Sequence, residues 1–299
     1  MSYRGRFAPS PTGPLHFGSL VAALASYLDA RANGGQWLLR IEDLDPLRDS
    51  EDDAKRIITA LEVHGLEWDG PVRFQSEHFP RYREQLQRLQ RDGFAYLCPC
   101  SRKELQANNG RHPRHCRSGA PKSSRPTAIR FALTDRHWSW DDLLLGPQSL
   151  RTRPEIDDFV LQRKEGFFAY QLAVVCDDID QGITHVVRGS DLLDSTPFQL
   201  ALYQAFDFPP PAFMHLPVIV DSAGQKLSKQ SRAPALVNDQ AGANLASAFA
   251  ALNHPLPVEL GRAPPAEQLA WGTTHWCTAK LPSVMSLTDV RQARPGAGQ

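Results

Sequence analysis

Two short motifs in this chain have the residue types to handle phosphate. The first is PLHFGS, residues 14–19, between an N-terminal strand and an Ala-rich helix. A helix N-terminus leaves backbone N–H groups unpaired and carries about half a positive charge, so it suits an anion. Gly18 withholds a side chain where a nucleotide would lie against the backbone. His16 has a ring N–H to offer a phosphate oxygen. The second motif is KLSKQ, residues 226–230, after a strand and a DSAG turn. Lys226 and Lys229, three apart in a Ser-containing loop, can neutralise a departing pyrophosphate as its charge develops. Taken singly, each motif is weak evidence: the first reads more readily as a loop His with a helix-starting Gly, and the second as solvated surface.

A third constellation suits a metal. Cys98 and Cys100 form a C-x-C pair ahead of His112, His115 and Cys116. Zinc takes four thiolate or imidazole ligands in a tetrahedron, and four protein ligands leave a structural site with no open position. Three cysteines and one histidine meet that need. His112, four residues before Cys116, can share a face with it and is the preferred fourth ligand. His115 is the alternative, although its neighbour Cys116 tends to point the other way. Five cysteines, an odd number, without an export signal fit metal binding better than disulfides. Cys176, in an apolar helix, reads as core.

These residues need a frame. Tyr3 to Ala8 is a strand running into the turn PSPTGP. Leu15 to Arg31 has helical period and stops at Asn33-Gly34-Gly35. Gln36 to Ile41 is a buried strand ending in EDLD. Ser50 to Val63 is a helix capped by Ser50 and closed by Gly65. Glu77 to Arg91 is another, closed by Gly93. Between about Phe94 and Pro154 comes a Cys-, Arg-, Pro- and Ser-rich insertion with a short strand at Ala128 to Leu133. Alternation then resumes: strand FVLQR from Phe159, helix FAYQLAVVCDDI, strand THVVRG, helix TPFQLALYQAF, strand MHLPVIV. That order predicts an α/β fold with a parallel sheet under helices. Four regions follow: 1–93 and 155–232 as the two halves of a catalytic domain, 94–154 as a zinc-binding insertion, and 233–299 as a short helical C-terminal part. The last holds helical pieces near 243–252 and 266–271 and a tail, ARPGAGQ, of disordered composition.

Charge offers no global attraction for nucleic acid, since 33 Lys and Arg meet 33 Asp and Glu. A basic face must be local; residues 102–130 carry eight Lys and Arg against the single acid Glu104. No run approaches the ~18–20 apolar residues of a membrane span, and the N-terminus lacks a signal-peptide pattern. No membrane partner and a cytoplasmic location are the expectation.

The order of motifs says more than any one of them. PSPTGPLHFGS near the N-terminus, THVVRGSDLLDSTPFQ in the middle and KLSKQ after a strand resemble the class I aminoacyl-tRNA synthetases. The first looks like that class's HIGH box and the last like its KMSKS loop. RFAPSPTG, RIEDLD and HVVRG are similar to the glutamyl branch. The resemblance spans roughly residues 3–235 and implies a Rossmann-type domain with ATP and Mg2+ as substrate. A free amino acid needs an acid for its ammonium and arginines for its carboxylates, because Arg offers a planar fork. Arg6, Glu42 and Arg188 all stand at strand ends, where open α/β sheets bind ligands. The resemblance assigns Arg6, Ala8, Ser10, Glu42, Tyr170 and Arg188 to L-glutamate, and His16, Gly18, Ser19 and Lys229 to ATP. It gives His16, Gly18, Lys226 and Lys229 the charge-stabilising work.

Only 69 residues follow Gln230, Pro- and Ala-rich, where full glutamyl-tRNA synthetases carry a large helical anticodon-binding part. The chain therefore resembles the glutamyl-Q tRNA(Asp) synthetases, a family of truncated paralogues. That family activates glutamate without tRNA and esterifies it to the queuosine base at the wobble position of tRNA(Asp). The C-x-C…C pattern, DLLDSTPFQ and KLSKQ fit it; His112, where Tyr is expected, departs from it. A monomer is the expectation. The alternatives are a truncated glutamyl-tRNA synthetase charging a tRNA 3′ end, or an inert zinc-containing tRNA-binding module.

Overall fold

The computed structural model describes residues 2–109, 115–118, 125–227, 234–289 and 291. The first half alternates as the sequence predicts. Strand β1 (Arg4–Phe7) leads into helix α1 (Phe17–Ala32), strand β2 (Gln36–Ile41), helix α2 (Glu51–Val63), strand β3 (Arg73–Phe74) and helix α3 (Phe79–Arg91). The strands pair in parallel in the order β1-β2-β3. Helix α1 begins at Phe17, two residues later than its apolar run, because His16 is its N-cap. Ser50 caps α2 by accepting from the Asp53 N–H, as its spacing predicts. Glu77 to Arg91 does not form one helix. A 3-10 turn, Gln75–His78, precedes α3, whose second residue is Pro80.

Residues 95–152 hold more strand than their composition predicts. Strand β4 (Ala95–Cys98) and helix α4 (Arg102–Ala107) precede strand β5 (Ala128–Phe131), then a hairpin of β6 (Arg136–Asp142) and β7 (Gly146–Thr152). Next come the short helix α5 (Pro154–Asp157) and strand β8 (Val160–Gln162). Strands β4, β5 and β8 make a small antiparallel sheet. The hairpin joins the second half through Asp142 on β6 and Phe213.

That second half runs through helix α6 (Tyr170–Asp180), strand β9 (His185–Gly189), helix α7 (Thr196–Ala205) and strand β10 (Ala212–Leu216). The run MHLPVIV is two strands rather than one, since Pro217 separates β10 from β11 (Val218–Val220). The sheet order is β7-β6-β10-β9. Strand β9 lies beside β1, joined by a backbone hydrogen bond from Thr184 N–H to the Arg4 carbonyl. A seam therefore separates two half-sheets.

The C-terminal part packs on the first half. Helices α8 (Ala241–Ala251) and α9 (Pro265–His275) bury Leu245, Phe249 and Leu269 in one core with Leu24 and Leu28 of α1. Each such side chain contributes roughly 1.5–3 kcal/mol by leaving water. Strand β12 (Ser286–Thr288) pairs in parallel with β11. A second core, beneath α3, α6 and α7, includes Cys176 as the sequence predicts. Among the described residues no helix is long and apolar enough to cross a membrane. The tail ARPGAGQ lies outside the described residues.

Candidate active site

A cleft of about 670 Å3 opens at the seam between β1 and β9. The strand order reverses there, which is where open α/β sheets hold ligands. Arg6, Ala8, Ser10, Glu42, Tyr170 and Arg188 all line it. Arg6 is on β1, Glu42 one residue past β2, Tyr170 at the start of α6 and Arg188 on β9. His16, Gly18, Ser19 and Lys226 line the same space. Lys229 lies outside the described residues.

The two cleft arginines have different surroundings. Arg6 donates to Asp178 at 3.1 Å. Asp178 also pairs with buried Arg40 at 2.8 Å, and Arg40 lies 3.5 Å from Glu42. Asp177 completes this layer by accepting from Arg73, Gln75 and Tyr82. Burial pushes the Glu42 carboxyl up to about 7, against the lowering pull of Arg40 and Arg6. Arg188 instead meets only neutral partners: His215, Gln199, Thr196 and the Leu192 carbonyl. Among the described residues no carboxylate pairs with it. It is a buried cation whose missing anion would come from the cleft. Asp177, Asp178 and His215 belong to none of the sequence motifs, and Arg40 only opens RIEDLD. The one available signal was the acid pair of CDD, directly after the apolar run LAVV in α6.

The helix start at His16 is built differently from the simplest phosphate cradle. The His16 ring Nδ1 accepts from the Ser19 backbone N–H at 3.2 Å, so one first-turn donor already has a partner. A ring that accepts at Nδ1 carries its proton on Nε2, beside the Ser19 hydroxyl at 3.1 Å. A Cβ on Gly18 would lie 3.3 Å from the His16 ring. Gly18 thus leaves room for His16 as well as for a ligand.

Lys226 is engaged by Asp191, whose carboxylate lies 2.5 Å from its ammonium at the cleft rim. The chain on either side of residues 228–233 is tied to the site. Leu227 N–H donates to the Ile219 carbonyl, and Ala235 bridges to His16.

Cys98, Cys100 and Cys116 form no disulfide among the described residues, and their sulfur atoms lie within 4.8 Å of one another. Cys100 and Cys116 Sγ are 3.7 Å apart. Strand β4 delivers Cys98, and Arg117 pins its neighbour Cys116 by pairing with Asp158. Burial pushes the Cys116 thiol up to about 12. A cation that binds thiolate would reverse that cost. His112 and the side chain of His115 lie outside the described residues.

Comparison with known proteins identifies a family. The family model described as tRNA synthetases class I (E and Q), catalytic domain, matches residues 2–246. A protein named glutamyl-Q tRNA(Asp) synthetase from Pseudomonas aeruginosa (strain LESB58) is 48% identical over 290 residues, covering 97% of this chain and 99% of its own. One of the same name from Pseudomonas syringae pv. tomato (strain ATCC BAA-871 / DC3000) is 46% identical, covering 98% and 99%. A glutamate tRNA ligase from Elizabethkingia meningosepticum CCUG26117, solved in complex with its amino acid, superposes with a TM-score of 0.79 at 27% identity. The match covers 97% of this chain and 67% of that one. The chain belongs to the class I glutamyl and glutaminyl tRNA synthetase family, in the branch of the glutamyl-Q tRNA(Asp) synthetases.

Proposed function

We propose that this protein activates L-glutamate with ATP as glutamyl-adenylate, without tRNA, and transfers the glutamyl group to the queuosine base at the wobble position of tRNA(Asp). The observation that carries the activation half is the single cleft that gathers Arg6, Glu42, Tyr170 and Arg188 with His16, Gly18 and Lys226. The relatives' name, at near-complete coverage in both directions, supports the acceptor.

In this reading Glu42 accepts from the substrate ammonium. Arg6 and Arg188 take its carboxylates, and Arg188 thereby gains the anion that its neutral partners do not supply. Burial lifts the Tyr170 phenol above its ordinary pKa, which keeps it a hydrogen-bond donor. An oxygen of the glutamate α-carboxylate attacks the ATP α-phosphorus. The bond to the bridging oxygen breaks, and pyrophosphate leaves with Mg2+, which accompanies ATP as substrate. His16 and the start of α1 face the phosphates; Lys226, released from Asp191, and Lys229 meet the pyrophosphate. The chain's task is positioning and charge stabilisation. A queuosine hydroxyl then attacks the acyl carbonyl, and AMP leaves.

Cys98, Cys100 and Cys116 are proposed to hold one structural zinc ion, with His112 as the fourth ligand. A tetrahedral site with Zn–S bonds of ~2.3 Å puts its sulfurs ~3.8 Å apart, close to the 3.7 Å between Cys100 and Cys116. When bound, the ion supplies a cross-link between β4 and the segment at 115–118.

The test is ATP–pyrophosphate exchange with glutamate and no tRNA, then transfer of labelled glutamate to tRNA(Asp). Exchange should occur without tRNA, and the label should stay after nuclease removal of the 3′ end. Exchange that needs tRNA(Glu), or a label equally acquired by tRNA lacking queuosine, would overturn the reading.

A further inference from the structure

We infer that His215 and Asp142 are positioning residues that fix the Arg188 guanidinium on the amino-acid side of the cleft, through a neutral His215 protonated on Nδ1. The inference rests on the glutamate-activating reading of that cleft.

Arginine carries five N–H donors and no acceptor. Four of Arg188's are committed. Nε donates to His215 Nε2 at 2.9 Å and Nη1 to Gln199 Oε1 at 2.7 Å. Nη2 donates to Thr196 Oγ1 at 2.8 Å and to the Leu192 carbonyl at 3.3 Å. One Nη1 N–H is left for the cavity that Arg188 lines.

The bond to His215 has a chemical requirement. A protonated Nε2 would set two donors against each other, so Nε2 must be bare. The ring proton then sits on Nδ1, which lies 2.5 Å from Asp142 Oδ2. His215 and the Asp142 side chain are both fully buried. Burial lowers the His215 pKa, in keeping with a neutral ring. Asp142 is itself held: its Oδ1 accepts from the backbone N–H groups of Leu144, Leu145 and His215. Asp142 ends β6, so the hairpin enforces the His215 tautomer and the tautomer aims the arginine. All four groups that hold Arg188 are uncharged. The arrangement therefore favours a substrate carboxylate and leaves an amide isostere such as glutamine without the matching charge.

Asp142→Asn is the discriminating variant. Its Oδ1 keeps the three backbone bonds, while its amide nitrogen replaces the oxygen that accepts from Nδ1. The proton moves to Nε2, facing Arg188. His215→Phe removes the acceptor, and His215→Gln restores an acceptor–donor pair. In glutamate-dependent exchange, D142N and H215F should raise the KM for glutamate about tenfold or more. The KM for ATP should be unchanged and the preference for glutamate over glutamine should fall. H215Q should recover most of the loss. In 15N-labelled wild-type protein, long-range 1H–15N spectra should show His215 protonated on Nδ1, and D142N should lose that pattern.

An unchanged KM for glutamate in both D142N and H215F would overturn the inference. So would H215Q as impaired as H215F, or a joint loss of kcat and both KM values, which marks general damage. A wild-type spectrum with His215 protonated on Nε2 would overturn it with no substrate present. Absence of glutamate-dependent exchange in the wild type would instead sink the activating reading.

Discussion

The role proposed for Glu42 needs its carboxyl charged, and burial works against that charge. Burial puts its pKa at about 7 in the free protein, so it loses its charge as pH falls through that value. A neutral carboxyl cannot balance a substrate ammonium. The kcat/KM for glutamate in exchange, which reports the free enzyme, should therefore fall below about pH 7. A profile flat to about pH 5.5 would remove Glu42 from that role. Gly18 gives a second test. Alanine there gains helix propensity but displaces the ring that caps α1, so the melting temperature should change little. Its Cβ crowds the His16 ring, and exchange should drop roughly tenfold through misplacement. That Arg6, Glu42 and Arg188 come together at one cleft was legible in the sequence because they stand at or beside strand ends, and strand ends are local signals. Asp178 and Asp142 were not, because Asp178 meets Arg6 across 172 positions and Asp142 meets His215 across 73.

At the scale of elements, caps and turns read well. Ser50, Gly65 and Gly93 bound their helices where the spacing predicts. The hairpin β6–β7 did not read. Arg136–Asp142 alternates, but its partner GPQSLRT is a polar edge strand with Gly and Pro at its start. The C-terminal helices were also weak in sequence, since α8 is mostly Ala and α9 has a low apolar count. Their packing is tight all the same. A Cβ on Gly272 of α9 would lie 2.5 Å from the Phe249 ring and 3.0 Å from Leu28 of α1. Gly272→Ala should destabilise by about 1–3 kcal/mol despite its better helix propensity. Denaturant unfolding with an unchanged midpoint would show that α9 is not docked this way.

At the scale of the whole molecule, two features tie the chain together beyond its cores. One is the cysteine cluster. Cys98→Ser should lower bound metal below one ion per chain and reduce thermal stability, measured by metal analysis and calorimetry on protein purified without chelator. Unchanged metal content would remove Cys98 from the site. The other is the strand pair β11–β12, which returns the end of the described chain to the rim of the cleft, where the Ser190 hydroxyl donates to the Met285 carbonyl.

The seam between β1 and β9 carries one backbone hydrogen bond where neighbouring strands share a ladder. A ligand whose two ends grip Arg6 on one side and Arg188 on the other would act as a removable staple across that joint. Glutamate at a hundredfold excess over its Kd should then stabilise the fold by about 2.7 kcal/mol, enough to raise the melting point by several degrees. D-glutamate, which cannot clasp both sides in register, and glutamine, which has only one of the two carboxylates, should leave the melting point nearly where it was.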